Sequence, residues 1–516
     1  MDKRMSAEQA IGLIKDGDGI AISGFEMCTV ARELFLALLE SYQKTGHPRD
    51  LTLMQGAGNK GVHAMTEEGL FARYITGHYA FNQKMIDQVL QNKIQSYNFP
   101  QGVIAHLFRA SAGGKVGDLT KIGLHTFCDP RLGGGKMNDV TTEDLVELLN
   151  IDDEEYLLYK VPKLDIALVR GTTSDEFGNI TIEEESAPVD MLDAVMAVKG
   201  QGGKVIVQVK NYVSSHSVDR TKVLVPGTLV DAIVVCSDPF ENHMQTSAYY
   251  YDPTIAGHYR MNDLSFEKIP LDERKVIARR AAMELKPNSV VNLGIGIPEG
   301  VAKVASEEGI GDQLVLTIES GLIGGIPAGG PNFGSSYNAW AALHMTSQFD
   351  CYDSGGLDFA ALGFAEVDST GNVNVSRFGD KIAGVGGFID ISQPTQNLAF
   401  AGTMTAGGLK VEVKDGKLCI LKEGKRKKFI KKLDQITFSS ECSKRSGQKV
   451  LFITERCVFR LVEGGLMLIE IAPGVTVEKD ILPYMDFEPI ISPDLKTMDE
   501  RLFRDEPMGL GAMIGV

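Results

Sequence analysis

The sequence of 516 residues lacks several features that would each indicate a class of protein. It has no apolar run of about 18 residues, so no membrane-spanning helix is predicted. Its seven cysteines are scattered and no C-x-x-C pair occurs, which argues against a disulfide framework and a zinc site. The first residues do not resemble a signal peptide and instead predict a helix with a capping box at Ser6 and Gln9. These absences predict a protein of the reducing cytoplasm.

Positive charge is also scarce. Lysine and arginine number 52 against 68 acidic residues, which gives a formal net charge of −16 at pH 7. A nucleic-acid-binding surface needs clustered positive charge, so no nucleic-acid partner is expected. An anionic small ligand is not excluded, because glycine loops and helix N-termini can hold phosphates through backbone N–H groups.

The length and the hydrophobic pattern predict more than one α/β domain. A chain of this length is too long for one hydrophobic core. Short β-branched runs alternate with helical patterns over most of the chain, as at 19–25, 204–209, 289–298 and 396–402, and this alternation is typical of an α/β fold. From 402 to 475 strand patterns follow one another, which predicts a β-meander that packs as a lid or layer over the second domain.

An internal repeat relates the two halves of the chain. The segment 164–182 aligns without a gap with 357–375, and the matched residues lie 193 positions apart. Earlier in each half, 13–25 aligns with 284–296. Common turn chemistry could produce such matches, but two matches in the same order favour duplication. The predicted fold is therefore two related open α/β domains, 1–245 and 271–516, with a linker at 246–270 and the meander 402–475 inserted in the second.

Glu319 is the clearest candidate for chemistry. It lies in LTIESGLIGGIPAGG (316–330), at the end of a predicted strand, and the eleven residues that follow it include five glycines. Open α/β sheets bind ligands at the carboxyl ends of their strands. The matching segment of the first half, 51–58, has the glycines but no acid. This asymmetry predicts one catalytic half and one half that shapes the pocket.

A single carboxylate can act as a general base, a metal ligand or a nucleophile, or it can be structural. A general base usually works with a partner acid, and a metal site needs a cluster of acids or histidines that the sequence near Glu319 lacks. A nucleophile needs little except desolvation and room, which glycine-rich walls supply together with N–H groups for an oxyanion. A helix-capping or buried structural role is the alternative.

Two further glycine clusters predict a site built from loops. NLGIGIPEG (292–300) contains Gly294 and Gly296 in a spacing that differs from the dinucleotide fingerprint, so an NAD enzyme is disfavoured. AGVGGFIDI (383–391) places Gly386 and Gly387 between β-prone segments. Tight turns explain any one cluster, whereas three clusters together with an acid favour a functional site.

Taken together, these motifs resemble the family I coenzyme A transferases of the single-chain acetate/propionate type. The resemblance extends over essentially the whole chain and is carried by TIESGLIGGIPAGG, NLGIGIP, GVGGFIDI, PQG at 100–102 and TFCDPRLGGGKMND at 126–139. It implies two similar α/β domains and a ping-pong transfer of coenzyme A between short-chain carboxylic acids. It implies no metal and no cofactor, since coenzyme A is a substrate, and it implies a cytoplasmic homo-oligomer.

The resemblance also implies roles for individual residues. Glu319 falls on the glutamate of the family's E-[SN]-G motif and would carry first an acyl anhydride and then a γ-glutamyl-CoA thioester. The remaining implied roles are oxyanion amides at Gly386 and Gly387, a contact of Gln101 with Glu319 from the other domain, and the coenzyme A side of the site at Gly294 and Gly296. Two alternatives stay open, an acyl-CoA hydrolase that uses the same thioester and a non-catalytic sensor of sugar phosphates or nucleotides.

Overall fold

The computed structural model describes residues 2–215, 217–262 and 268–515. Strands and helices alternate in the first half, as the pattern predicts. The strands there are β1 (Gly19–Ile22), β2 (Leu51–Gln55), β3 (Phe71–Thr76), β4 (Gln95–Asn98), β5 (Gly117–Thr120), β6 (Val146–Ile151), β7 (Glu154–Lys160), β8 (Ile166–Asp175), β9 (Ile180–Thr181), β10 (Lys204–Val213), β11 (Val223–Val225) and β12 (Ala232–Val235). The helices are α1 (Ala7–Ile11), α2 (Arg32–Thr45), α3 (Gln83–Leu90), α4 (Gln101–Ala112), α5 (Met191–Gly200) and α6 (Pro239–Asn242).

The second half has more and shorter strands. They are β13 (Ser289–Leu293), β14 (Leu314–Thr317), β15 (Leu322–Ile323), β16 (Ile326–Pro327), β17 (Ser336–Tyr337), β18 (Ala341–Ala342), β19 (Phe359–Gly363), β20 (Glu366–Val367), β21 (Val373–Asn374), β22 (Arg377–Phe378), β23 (Lys381–Ile382), β24 (Asn397–Ala401), β25 (Thr405–Ala406), β26 (Lys410–Lys414), β27 (Lys417–Lys422), β28 (Arg426–Lys427), β29 (Lys449–Ile453), β30 (Cys457–Val462), β31 (Gly465–Ile471) and β32 (Ile490–Thr497). The helices are α7 (Glu273–Ala282), α8 (Gly300–Glu307), α9 (Met345–Asp353), α10 (Phe388–Ser392), α11 (Ser440–Ser446) and α12 (Leu510–Ile514). Among the described helices, none combines the length and apolar character that a bilayer crossing requires.

The chain forms two compact units that do not coincide with its two halves. The first unit contains the chain up to Asn262 together with Ile318–Asp350 and Gly379–Asp390. The second contains the segment that ends at Thr317, Cys351–Phe378 and the segment that begins at Ile391. The predicted domains 1–245 and 271–516 follow the repeat, whereas Glu319 and the turn at Gly386 belong to the first unit. A repeat compares segments along the sequence, so it cannot show such an exchange of segments.

The first unit is built on a mainly parallel sheet in the order β11-β9-β8-β1-β2-β3-β4, with β10 paired to β8 and to β12. Every residue of β8 is buried, as expected of a parallel strand that is covered on both faces. A smaller antiparallel sheet contains β5, β7 and β6 in that order. The capping box of α1 is present, with the Ser6 side chain accepting the Gln9 N–H and the Gln9 side chain returning the bond.

The second unit is built on a sheet in which β14, β13, β19, β24 and β29 are parallel neighbours and β30, β31 and β32 follow. The predicted hairpin is present as β26 and β27. The expectation of a lid or layer at 402–475 is wrong for β29 to β31, because these strands extend the main sheet at its edge. Many of their apolar residues are buried. A strand that extends a sheet and a strand that covers the face of a sheet show the same apolar pattern in the sequence.

The internal repeat is visible as the same local structure at matched positions. In the first unit Asp175 Oδ1 accepts the N–H groups of Phe177 and Asn179 at 3.0 and 2.9 Å. In the second unit Asp368 Oδ1 accepts those of Thr370 and Asn372 at 2.9 and 3.0 Å. The pairing β1–β8 and the pairing β13–β19 also keep the register that the alignment predicts. Two related α/β folds therefore make up the chain.

Candidate active site

Glu319 lies in a tight turn directly after β14, as the sequence predicts. The Ile318 N–H donates to the Leu322 carbonyl at 2.9 Å, and the Gly321 N–H donates to the Ile318 carbonyl at 3.0 Å. The hydroxyl of Ser320 donates to the Gly334 carbonyl at 2.7 Å. These three bonds fix the backbone on both sides of Glu319, so the direction of its side chain is set locally.

Close packing requires three of the glycines that follow Glu319, namely Gly321, Gly324 and Gly325. The segment folds into short antiparallel pairs, β15 with β18 and β16 with β17. A β-carbon on Gly324 would lie 2.4 Å from the indole ring of Trp340, a separation that no side chain tolerates. The prediction that these glycines form a bare wall around the acid is therefore wrong for this ribbon, whose glycines allow neighbouring groups to approach.

The group packed against the Glu319 side chain is Gly387. A β-carbon on Gly387 would lie 3.2 Å from Glu319 Cγ and 3.4 Å from its carboxyl carbon. Phe349 Cε1 lies 3.4 Å from the same position. Within the described part of the chain, the Gly387 N–H has no hydrogen-bond acceptor. The turn therefore leaves one amide unengaged at a residue whose β-carbon position faces the carboxyl group of Glu319.

The electrostatic state of Glu319 follows from its surroundings. The residue is partly exposed, yet desolvation raises the pKa of its carboxyl group to about 7. The residue as a whole is therefore partly open to solvent, while its carboxyl group is poorly hydrated. A poorly hydrated carboxylate is a stronger nucleophile than one in bulk water, because less solvent must be displaced when it attacks.

The turn that carries Gly387 is anchored on the first sheet. The Gly386 N–H donates to the Gly77 carbonyl at 2.7 Å, and the Val385 N–H donates to Asn98 Oδ1 at 3.0 Å. The Gly386 carbonyl in turn accepts the N–H of Gln101 at 2.8 Å. The Gly386 amide is thus already engaged, and Gly387 is the better candidate of the two predicted oxyanion donors.

Gln101 reaches the same turn from α4, of which it is the first residue. It is buried, and its Nε2 donates to Met345 Sδ at 3.5 Å. The structure thus brings Gln101 together with Gly386, and Gly387 together with Glu319. The predicted direct contact of Gln101 with Glu319 stays a prediction.

Gly294 and Gly296 follow β13 and belong to the second unit. The Gly294 N–H donates to the Ala361 carbonyl at 2.8 Å, and the Gly296 N–H donates to Glu299 Oε1 at 3.0 Å. Both amides have partners inside that unit. Their predicted place on the coenzyme A side of the site stays a prediction.

Sequence reasoning missed Asn98, Phe349 and Asp390. Asn98 gave no signal, since an asparagine at a strand end is common, and its role depends on a turn far away in the sequence. Asp390 did give one, because it is an isolated acid in the apolar run FIDI, three residues after Gly387. Across the described residues, no three or more His, Cys, Asp or Glu side chains group as metal ligands would.

The coenzyme A transferase family model matches residues 4–236, and known proteins resemble the chain over nearly its full length. Caffeate CoA-transferase of Acetobacterium woodii is 46% identical, with 100% of each chain covered. Acetate CoA-transferase YdiF of Escherichia coli O157:H7 is 45% identical, with 98% of this chain and 96% of the relative covered. A crystal structure of acyl-CoA transferase YdiF from that organism, described as a thioester complex with CoA, matches with a TM-score of 0.92 at 43% identity and covers 98% of this chain and 97% of its own.

Proposed function

We propose that this chain, which belongs to the coenzyme A transferase family and acts on carboxylic acids, exchanges coenzyme A between short-chain acids such as acetate and propionate. The proposed mechanism is ping-pong and proceeds through Glu319. The observation that carries the proposal is the poorly hydrated carboxyl group of a partly exposed residue, Glu319, which lies beside Gly387, whose N–H is unengaged in the described chain. The relative described as a thioester complex with CoA supports a covalent route.

Each half-reaction has two substitution steps. The Glu319 carboxylate attacks the thioester carbonyl of an acyl-CoA, and the C–S bond breaks to give an acyl-glutamyl anhydride and the thiolate of coenzyme A. The thiolate attacks the glutamyl carbonyl, so the first acid leaves as its carboxylate and a γ-glutamyl-CoA thioester remains. An acceptor carboxylate then reverses both steps. No net proton is taken up, and the free energy of the thioester is kept in the enzyme.

The site supplies two contributions to this chemistry. Desolvation makes the attacking carboxylate more reactive than it would be in water. When the thiolate attacks, the carboxyl carbon of Glu319 becomes tetrahedral and one of its oxygens becomes an oxyanion. The Gly387 N–H belongs to the residue packed on that carbon and is the candidate donor to this oxyanion. Gly386 contributes by fixing the turn through its bond to Gly77.

A second candidate substrate class is an arylacrylic acid such as caffeate, because the caffeate enzyme and the acetate enzyme are almost equally similar to this chain. The short-chain proposal predicts rapid transfer from acetyl-CoA to propionate and slow transfer to caffeate. Faster transfer to caffeate than to propionate, at equal acceptor concentration, would replace it with the second candidate. Both outcomes are compatible with the proposed glutamyl thioester.

The thioester itself is tested by trapping. The protein is incubated with acetyl-CoA without acceptor and then reduced with borohydride, which converts a γ-glutamyl thioester to an alcohol. We expect the corresponding loss of mass in the peptide that contains Glu319 and no such change in Glu319→Gln. Absence of the change in the wild type would overturn the mechanism.

The same incubation separates the alternatives. A hydrolase would release free coenzyme A steadily without acceptor, whereas a transferase needs a second carboxylate. A non-catalytic sensor would bind acyl-CoA without transfer and without dependence on Glu319. We also propose a cytoplasmic homo-oligomer. The seven cysteines, all free, support the compartment, and light scattering of the purified chain tests the assembly.

A further inference from the structure

Asp390 is a buried carboxylic acid next to the proposed site that the mechanism above does not use. It lies in α10, its exposed fraction is 0%, and neither of its carboxyl oxygens has a hydrogen bond of good geometry within the described chain. Burial of an acid without hydrogen-bond partners costs free energy, so a functional explanation is wanted. The segment that carries it also carries Gly386 and Gly387.

Asp390 packs on the first turn of α4. Its Oδ1 lies 2.5 Å from the position of a β-carbon on Gly102, and the Phe349 ring lies 2.7 Å from that same position. Only a glycine at 102 admits both groups. The helix has Pro100 at its N-cap and no side-chain cap, so its first N–H groups need acceptors from elsewhere. The Gly386 carbonyl takes the N–H of Gln101, and the Asp390 carboxyl faces the next residue.

The titratable groups around Asp390 come from several elements. They are Glu319 from the turn after β14, His106 from α4, Cys128 from the loop before β6 and Tyr159 from β7. Burial is the largest influence and raises the pKa of Asp390 to about 7, with Glu319 adding to the rise while the Gly102 N–H and His106 oppose it. His106 Nε2 is itself 3.0 Å from Asp350 Oδ1, so His106 also interacts with a second acid.

We propose that Asp390 is a positioning residue of the transferase site that works in its uncharged, protonated form, holding the first turn of α4 and the Gly386–Gly387 turn together beside Glu319. This inference rests on the proposed function. A second carboxylate beside the ionised Glu319 and the anionic tetrahedral intermediate would repel both. A neutral acid avoids that repulsion and still offers an oxygen to the N-terminus of α4.

The inference predicts two limbs in the pH profile of kcat/KM. On the acid side activity rises as Glu319 ionises. On the alkaline side activity falls as Asp390 loses its proton and places a second negative charge in the site. Asparagine is neutral and has nearly the same shape, so Asp390→Asn should keep the acid limb and lose the alkaline limb.

The test measures kcat/KM for acetyl-CoA and propionate from roughly pH 5.5 to pH 9. At neutral pH we expect Asp390→Asn to stay within about tenfold of the wild type and Asp390→Ala to lose about a hundredfold, chiefly in kcat, because the geometry around Glu319 is no longer held. An alkaline limb that persists in Asp390→Asn, or full activity in Asp390→Ala, would overturn the inference.

Gly102→Ala provides a second test that leaves the acid in place. The added methyl group meets Asp390 Oδ1 and Phe349, so the acid is displaced, and we expect a fall in kcat with little change in KM. Unchanged kcat in a folded Gly102→Ala protein contradicts the inference. The borohydride trap separates the two proposals. If the wild type forms no adduct, the proposed function is wrong. If the adduct forms but Asp390→Asn leaves the pH profile unchanged, only the proposed role of Asp390 is wrong.

Discussion

Gly387 and Glu319 are so close that a β-carbon on the glycine would lie 3.2 Å from Cγ of the acid. Gly387→Ala should therefore push the Glu319 side chain by a few tenths of an ångström. We expect kcat to fall by about ten- to a hundredfold, because small displacements of a nucleophile are costly. Steady-state transfer from acetyl-CoA to propionate measures the effect.

Gly386→Ala is the matched control for that change. Gly386 has a φ of 54°, and no atom lies within 4 Å of its β-carbon position. Alanine there should cost about 1 kcal/mol of stability through backbone strain. If it lowers kcat as much as Gly387→Ala, the effect comes from the turn and not from the contact with Glu319.

Glu319→Gln should abolish transfer and also stabilise the fold at neutral pH. The pKa of the folded-state carboxyl group, about 7, lies above its usual value of 4.5. The folded protein therefore gives up stability as pH rises from 4.5 through 7, since the unfolded chain ionises more readily. Urea unfolding should show Glu319→Gln more stable than the wild type by on the order of 1–3 kcal/mol at pH 8 and equal to it near pH 4. Equal stability at both pH values contradicts the desolvation of Glu319.

Glu185→Gln should strongly destabilise the first unit. Arg170 and Glu185 form an ion pair in which each side chain is 2% exposed, and Arg170 Nη1 also donates to the Met244 carbonyl at 2.9 Å. Burial alone would raise the pKa of Glu185, but Arg170 and His243 outweigh it and hold the pKa at about 2. Loss of the carboxylate leaves a buried guanidinium without its partner, which costs about 3–5 kcal/mol.

The pH dependence of this pair has the opposite sign to that of Glu319. Its stabilisation is present above the unfolded pKa and is lost as pH falls from 4.5 towards 2. Glu40→Gln removes the exposed pair of Glu40 with Lys44 and serves as the control, for which little or no change in stability is expected. Equal midpoints of urea unfolding for the two variants would contradict the prediction.

Lys428→Met should stabilise the second unit. The ammonium group lies 3.8 Å from the centroid of the Phe364 ring, and burial lowers the pKa of Lys428 to about 7. A lowered pKa means that the folded state resists protonation, so the stability gain should be largest at pH 7 and below and should vanish as pH approaches 10.5. Lys427→Met, at an exposed neighbour, is the control. If the gain in melting temperature does not change with pH, the effect comes from packing alone and the predicted charge effect is wrong.

The sequence predicts those features that depend on neighbouring residues. The α/β alternation, the capping box of Ser6 and the position of Glu319 after a strand are all local, and the structure confirms them. Features that depend on distant contacts could not be found in this way. The engagement of the Gly386 amide by Gly77 and the burial of Asp390 against Gly102 need the folded chain.

The glycine ribbon after Glu319 shows the same limit. From sequence alone, a glycine that leaves room for a ligand and a glycine that leaves room for Trp340 are identical. The family resemblance predicts the role of Glu319 from a whole motif and not from single glycines. It did not identify Asp390, whose proposed role rests on its burial beside the first turn of α4.

The composition of the first unit has a consequence for synthesis on the ribosome. The unit begins at the N-terminus but takes its last segment from Gly379–Asp390. Domains commonly fold as they emerge, at about 5–20 residues per second. Here translation continues for on the order of ten seconds after the first 262 residues are made before the turn with Gly387 has been synthesised. During that interval the nascent chain lacks the turn that carries Gly387 and, under the proposed function, has no complete site for acyl-CoA.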